Sequence, residues 1–341
     1  MIHLRIVTPP EKTRQVEDLL AGDDAVCNVI TLAGAARRPD GDVIMADVAR
    51  EDASIVVGDV RRLGVGAQEG SIAIEHVDTS LGPDARRAMS SSLGEESDAV
   101  VWEEVQTRTS EEAQLSWSYL VFMVLAAALA TCGLFTDNPI LIVGAMVVSP
   151  DFGPLAGLCV GVVTRRRRLV GRSLAAVVVG FPVASAVAYV LSEVLLGTGV
   201  ADKDFSVETS GLATFIATPD AYTFIIAFCA GAAGTLSLTT AKSGALIGVL
   251  ISVTTIPAAC DIGVSAATRD WSSMGGSAVQ LAANIVTIVV AGSLTLYLQR
   301  RGYLRRREHH EGERGRVRAT GTDRATTTPR AWLRSARRPR P

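Results

Sequence analysis

The sequence predicts a polytopic α-helical membrane protein that carries an N-terminal ferredoxin-like α+β domain. Three observations lead there. Residues 117–299 hold about six apolar runs that approach or exceed the roughly 20 residues a membrane helix needs. Residues 1–78 alternate between strand-like and helix-like periodicity in the order βαββαβ. Charge divides along the same lines: residues 1–115 carry 11 Lys/Arg and 22 Asp/Glu, residues 116–299 carry 8 and 9, and residues 300–341 carry 14 and 4. A net charge of −2 over 341 residues therefore hides an acidic head, a nearly neutral body and a basic tail. The expected organisation is a cytoplasmic α+β domain over 1–80, a linker and charged juxtamembrane helix over 81–116, a transmembrane domain over 117–299, and a basic disordered tail over 300–341.

In the head, residues 3–7 alternate as a strand, and residues 11–21 form a helix with Val16, Leu19 and Leu20 on one face. Residues 25–33 and 42–49 read as strands separated by the turn signal Arg38-Pro-Asp-Gly41. A second amphipathic helix over 52–63 and a last strand over 70–77 complete the unit. Residues 81–96, rich in Gly, Pro, Ser and charge, read as a linker. Residues 97–116 read as a charged helix, capped by Ser97, that joins head to membrane as a rigid stalk. Trp102, Trp117 and Tyr119 suit an interfacial anchor.

The apolar runs are 117–135, 139–163, 169–196, 222–238, 244–266 and 278–298, with a short re-entrant piece at 211–216. Arg165–Arg168 and Arg172 lie between the second and third, and Arg300, Arg301 and Arg305–Arg307 follow the last. The positive-inside rule puts both segments in the cytoplasm, and six spans then put the head there too. No cleavable signal peptide is read at the N-terminus. The expected location is the inner membrane, multi-pass, with both termini cytoplasmic.

The second span is the unusual one. Its middle reads Ser149-Pro150-Asp151-Phe152-Gly153-Pro154. Proline removes a backbone donor and clashes one turn back, so Pro150, Gly153 and Pro154 predict a broken helix. A carboxylate near mid-membrane costs about 2.5–3.5 kcal/mol on the insertion scale, which marks Asp151 as functional.

Shifted by 104 residues, the body resembles itself. Thr131 falls on Thr235, Gly144 on Gly248, Thr164-Arg165 on Thr268-Arg269, and Gly171 and Ser173 on Gly275 and Ser277. With one residue of slippage Pro154 meets Pro257, which predicts a second broken helix near Thr254 and Pro257. Three spans per unit make the second copy inverted, a 3+3 architecture recurrent in transporters. The two breaks should then share a polar centre of Asp151, Ser149, Asp261, Thr254, Thr255, Asn138 and Asn284, able to bind a small solute or ion. Gly157 and Gly161, and Gly244 and Gly248, repeat at the four-residue spacing of close helix packing.

The run Asn138-Pro, Gly144-Ala-Met146, Ser149-Pro150 and Gly153-Pro154 resembles the signature of the bacterial membrane family named domain of unknown function 389, and the resemblance extends over roughly 98–300. It implies a membrane location and this fold, and no substrate. The usual form of that signature is apolar between Ser-Pro and Gly-Pro, whereas this chain has Asp151-Phe152.

Function follows as an expectation: a transporter-like or channel-like protein, or else a membrane-anchored sensor or scaffold that works through its head. Enzyme activity is not expected, because the body holds no histidine, no metal-ligand cluster and no nucleophile–base pair. No cofactor and no metal are implied. Five cysteines without metal-type spacing read as apolar filler. The expected partners are membrane lipid, a small solute or ion, and further copies of the chain. Nucleic acid is not expected, because no folded basic surface accompanies the arginines of the tail.

Overall fold

Strand β1 (Ile2–Thr8) buries Ile2, Leu4 and Ile6 and turns the residues between them outward, the period-two pattern of a sheet covered on one side. It sits between β3 (Asp40–Val48) and β4 (Ser71–His76), and β2 (Val26–Arg37) flanks β3. The sheet order is β2-β3-β1-β4, antiparallel throughout. Helices α1 (Pro10–Ala21) and α2 (Arg50–Arg62) cover the apolar face with Val16, Leu20, Ala53, Val56 and Val60. Each large side chain buried there contributes about 1.5–3 kcal/mol. The computed structural model describes residues 1–66, 69–77, 80–91, 102–201, 220–239 and 245–321.

Helix α3 (Pro83–Ser91) corrects the expectation of a linker over 81–96. Pro83 is tolerated at a helix start, where its missing N–H has no partner to lose. Ala85 and Ala88 are then buried with Met1 and Cys27. Composition suggested a loop, and a small apolar face overrode it. Helix α4 (Trp102–Glu112) occupies the second part of the expected stalk, while Ser97 lies outside the described residues. It is amphipathic, burying Trp102, Val105, Thr109 and Ala113 beyond its end.

The body is built from α5 (Trp117–Phe135), α6 (Pro139–Val148), α7 (Phe152–Thr164), α8 (Arg167–Thr198), α9 (Ala221–Thr239), α10 (Ala245–Ala267) and α11 (Trp271–Gly321). Among the described residues, four helices are long and apolar enough to cross a membrane, and a fifth span results if the bent pair α6 and α7 counts as one. Their outer faces carry Phe122, Leu125, Val178, Phe224, Ile225, Val286 and Val290, all well exposed. Apolar surface on that scale suits lipid, and the chain reads as a multi-pass membrane protein. The re-entrant piece expected at 211–216 lies outside the described residues.

Two further expectations change. Pro257 does not break its span: α10 runs unbroken from Ala245 to Ala267 with the proline inside. A proline deletes one backbone bond, and inside a packed membrane bundle the freed groups can be satisfied by neighbours. The last helix also reaches Gly321, well into the tail expected to be disordered from residue 300, since its Arg, Glu and Ala residues are good helix formers. A second unit begins at Tyr297 and is described as helix as far as Gly321.

The 104-residue offset recurs in the architecture. Both ends of α5 and α9 are displaced by it, as are the starts of α8 and α11. Ser116 caps α5 by accepting from the Tyr119 N–H at 3.1 Å, and Asp220 caps α9 by accepting from the Thr223 N–H at 2.9 Å. Arg165 and Arg269 both adopt left-handed backbone, at φ 57° and 63°. Each is followed by a matching return bond, from the Arg166 N–H to the Gly161 carbonyl at 2.9 Å and from the Asp270 N–H to the Ser265 carbonyl at 2.8 Å. Left-handed residues are costly outside glycine, so two arginines in that state at one offset mark the same helix-ending turn used twice.

Candidate functional site

The break in the second span falls at Ser149–Asp151, where α6 and α7 meet at a bend of 54°. Ser149 follows the end of α6 in extended backbone, and Pro150 prevents the helix from continuing. Gly153 and Pro154 lie inside the first turn of α7, so they do not make the break. A proline there forfeits no intrahelical bond.

Asp151 occupies the cap position of α7, yet its side chain makes no capping bond. It is 1% exposed. The Ser149 hydroxyl donates to its Oδ1 at 2.8 Å, and the Thr255 hydroxyl of α10 donates to its Oδ2. Thr255 is the residue 104 positions on. The two halves of the body therefore meet here through equivalent positions. A second contact is also matched by its counterpart at the 104-residue offset. Gly263 of α10 packs on the backbone of Ser185 in α8. Their counterparts are Cys159 of α7 and Val289 of α11, and the Cys159 thiol donates to the Val289 carbonyl at 3.7 Å.

The other expected site residues separate. Asp261 is fully buried on α10, six residues past Thr255, which is about 9 Å along a helix. It forms its own cluster: the hydroxyls of Ser277 on α11 and, at 3.5 Å, of Ser265 on α10 both approach Oδ2. Asn138 caps the far end of α6, accepting from the Ile140 N–H at 2.9 Å. With about 1.5 Å of rise per residue it cannot reach the break. Asn284 is buried on α11, two turns beyond Ser277 on the same face. Gly244 lies outside the described residues, as do the side-chain surroundings of Thr254 and Gly248. The single expected centre thus becomes two buried carboxylate sites joined by α10.

The glycine row works as close packing, with a partner the sequence did not reveal. A Cβ on Gly153 would stand 2.6 Å from the Glu112 carbonyl oxygen. One on Gly157 would meet the Ser173 hydroxyl and lie 2.8 Å from Ala113 Cβ, and one on Gly161 would lie 2.7 Å from Val170. The end of α4 therefore rests on the first turns of α7, beside Asp151. At its other end the Trp102 N–H donates to the Ser54 hydroxyl of α2 at 2.9 Å. Sequence reasoning missed Ser265, Ser277 and the Glu112–Ala113 contact. The four-residue step from Asp261 to Ser265, and the match of Ser277 to Ser173, were the available signals.

The motif at the break and the helices behind it agree with one known family. Residues 146–290 match the family described as Domain of unknown function (DUF389). The DUF389 segment runs from the end of α6 into α11 and so takes in both the break with Asp151 and α10 with Asp261. An uncharacterized protein of Methanocaldococcus jannaschii is 24% identical over 163 residues, 48% of this chain and 48% of that protein. The chain therefore spans about half the length of the curated relative it matches. No solved structure matches it.

Proposed function

We propose that this DUF389 protein is a transporter-like or channel-like membrane protein that binds a small solute or ion where α6 and α7 meet. The single observation that carries this reading is Asp151: a buried carboxylate at the junction of two half-helices, held by the equivalent residue of the other half. Half-helix ends present unpaired amides and carbonyls, and a carboxylate among them suits a cation. In this reading the body has six spans, with α10 as the fifth, arranged as a 3+3 inverted repeat. The shared offset, the paired turns at Arg165 and Arg269 and the matched contacts support it. The arginines at 165–168 and after residue 299 support cytoplasmic termini in the inner membrane. The head is ferredoxin-like in strand order. The reading assigns the chain no catalysis, and its partners are lipid, the solute or ion, and further copies of itself.

Proteoliposomes given separate gradients of sodium, potassium, chloride and protons test it. The wild type is expected to dissipate at least one gradient, and Asp151→Asn to slow that flux about tenfold or more while eluting as a folded protein. Wild-type vesicles as tight as empty ones, or an unchanged Asn variant, would contradict it.

A second reading, a membrane-anchored sensor or scaffold acting through its head, is favoured by α4. This helix touches α2 of the head at Trp102 and the start of α7 at Gly153. Ligand occupancy in the head could bias the break through that one helix, so sensing and transport need not exclude each other.

A further inference from the structure

The second carboxylate carries an inference of its own. Asp261 is fully buried, and its Oδ1 has no hydrogen-bond partner among the described residues, while Ser277 and Ser265 approach Oδ2. Gln280 sits one turn beyond Ser277 on the same face of α11, is 6% exposed, and its Oε1 is likewise without a partner. Two buried acceptors on adjacent helices thus lack a donor. No basic side chain within the described membrane-spanning segments can supply one. No Lys, Arg or His occurs in α5, α6, α7, α9 or α10, in residues 173–198 of α8, or in residues 271–299 of α11. The titratable groups around Asp261 are Cys260 on its own helix, Asp151 at the start of α7, Cys159 on α7, Tyr119 and Cys132 on α5, Tyr189 and Glu193 on α8, and Arg269 and Asp270 in the turn to α11; α6 offers none. Of these only Arg269 is basic, and it lies eight residues past Asp261, beyond the end of α10 at Ala267.

A buried charge without a fixed partner is costly enough that it is neutralised or compensated. We infer that Asp261, with Ser265, Ser277 and Gln280, forms a site for one exchangeable monovalent cation, a proton or a sodium ion, distinct from the junction at Asp151. A proton would neutralise Oδ1 and give it a hydrogen to donate to an acceptor such as Gln280 Oε1. A sodium ion would find only oxygen ligands and a single negative charge, the chemistry of a hard monovalent ion. The site needs no transport to be detected, so its failure and the failure of the transport reading are separate results.

Infrared difference spectra of the full chain in nanodiscs, taken across pH steps and then across sodium steps at fixed pH, test it. A buried carboxyl signal is expected in the wild type and in Asp151→Asn, and is lost in Asp261→Asn. If the ion is a proton, the signal follows pH alone, and Ser277→Ala moves its midpoint upward because the carboxylate loses a donor. If it is sodium, the signal follows sodium but not potassium, and Ser277→Ala weakens the response about tenfold. A signal that survives in Asp261→Asn, or a wild type silent to both ions, overturns the inference. Should Asp261→Asn fail to fold, an unchanged midpoint in Ser277→Ala overturns it equally.

Discussion

Thr255 donates its hydroxyl to Asp151 from the position that repeats Asp151 in the second half of the body. The contact places the break in the second span against an unbroken helix, α10. The asymmetry is chemical as well. The first half supplies the carboxylate and the second its hydroxyl donor, whereas one and a half turns further along α10 the acid belongs to the second half and faces Ser277.

Removing that hydroxyl should destabilise the body. Thr255→Val keeps the shape and deletes a hydrogen bond to a buried carboxylate, which costs about 1.5–3 kcal/mol. A lower thermal midpoint in nanodiscs is expected, with Thr255→Ser close to wild type. Equal midpoints for Val and wild type would show that the bond contributes nothing.

The glycines divide into packed and free positions. Gly157→Ala must push the Cβ into Ser173 and Ala113, and overpacking of this kind costs about 1–3 kcal/mol. Gly144→Ala meets nothing within 4 Å and should be neutral or slightly stabilising through helix propensity. Thermal unfolding of the pair checks the contrast directly.

Helix α4 should respond to changes at the break. Gly153→Ala forces a Cβ against the Glu112 carbonyl, so the end of α4 has to move. Trypsin cleavage after the exposed Arg108 is expected to accelerate in this variant, and an unchanged cleavage rate would argue against the contact.

The head carries its own pH dependence. Asp42 accepts from the Thr13 hydroxyl at 2.6 Å and from the Gly34 N–H at 2.7 Å, and these bonds, the first foremost, hold its carboxyl below the usual carboxylate range. A folded-state value below the unfolded one adds stability that is present above the unfolded value and is lost as pH falls through the folded one. Thr13→Ala should therefore make acid unfolding of the head less steep below about pH 4. Far-ultraviolet circular dichroism against pH measures it.

Much of this was legible in the chain itself. The first span begins at Trp117 and ends at Phe135 as its hydropathy implied, and the Ser-Pro-Asp run marked the break because proline cannot continue a helix. The matching helix-ending turns were readable from Thr164-Arg165 and Thr268-Arg269, which both adopt left-handed backbone at the arginine. Pro257 misled, because whether a proline breaks a membrane helix depends on neighbours that a single span does not reveal. Asp261 was grouped with Asp151 through the second break expected at Pro257, and Asn138 through its polarity; helical rise separates both from Asp151. Helix α3 was hidden because two buried alanines carry little hydropathy signal among serines and charges. The docking of α4 on Gly153 and Gly157 depends on tertiary contact, which no local pattern encodes.

The claim on which the rest depends is that the second half is an inverted copy of the first. Single cysteines placed at Arg166 and at Asp270, in a background with the five native cysteines replaced, address it through labelling with a membrane-impermeant thiol reagent from each side of oriented vesicles. The two positions end corresponding helices, so the account predicts that Arg166→Cys is labelled from the cytoplasmic side alone and Asp270→Cys from the opposite side alone. Labelling of both from one side would contradict it.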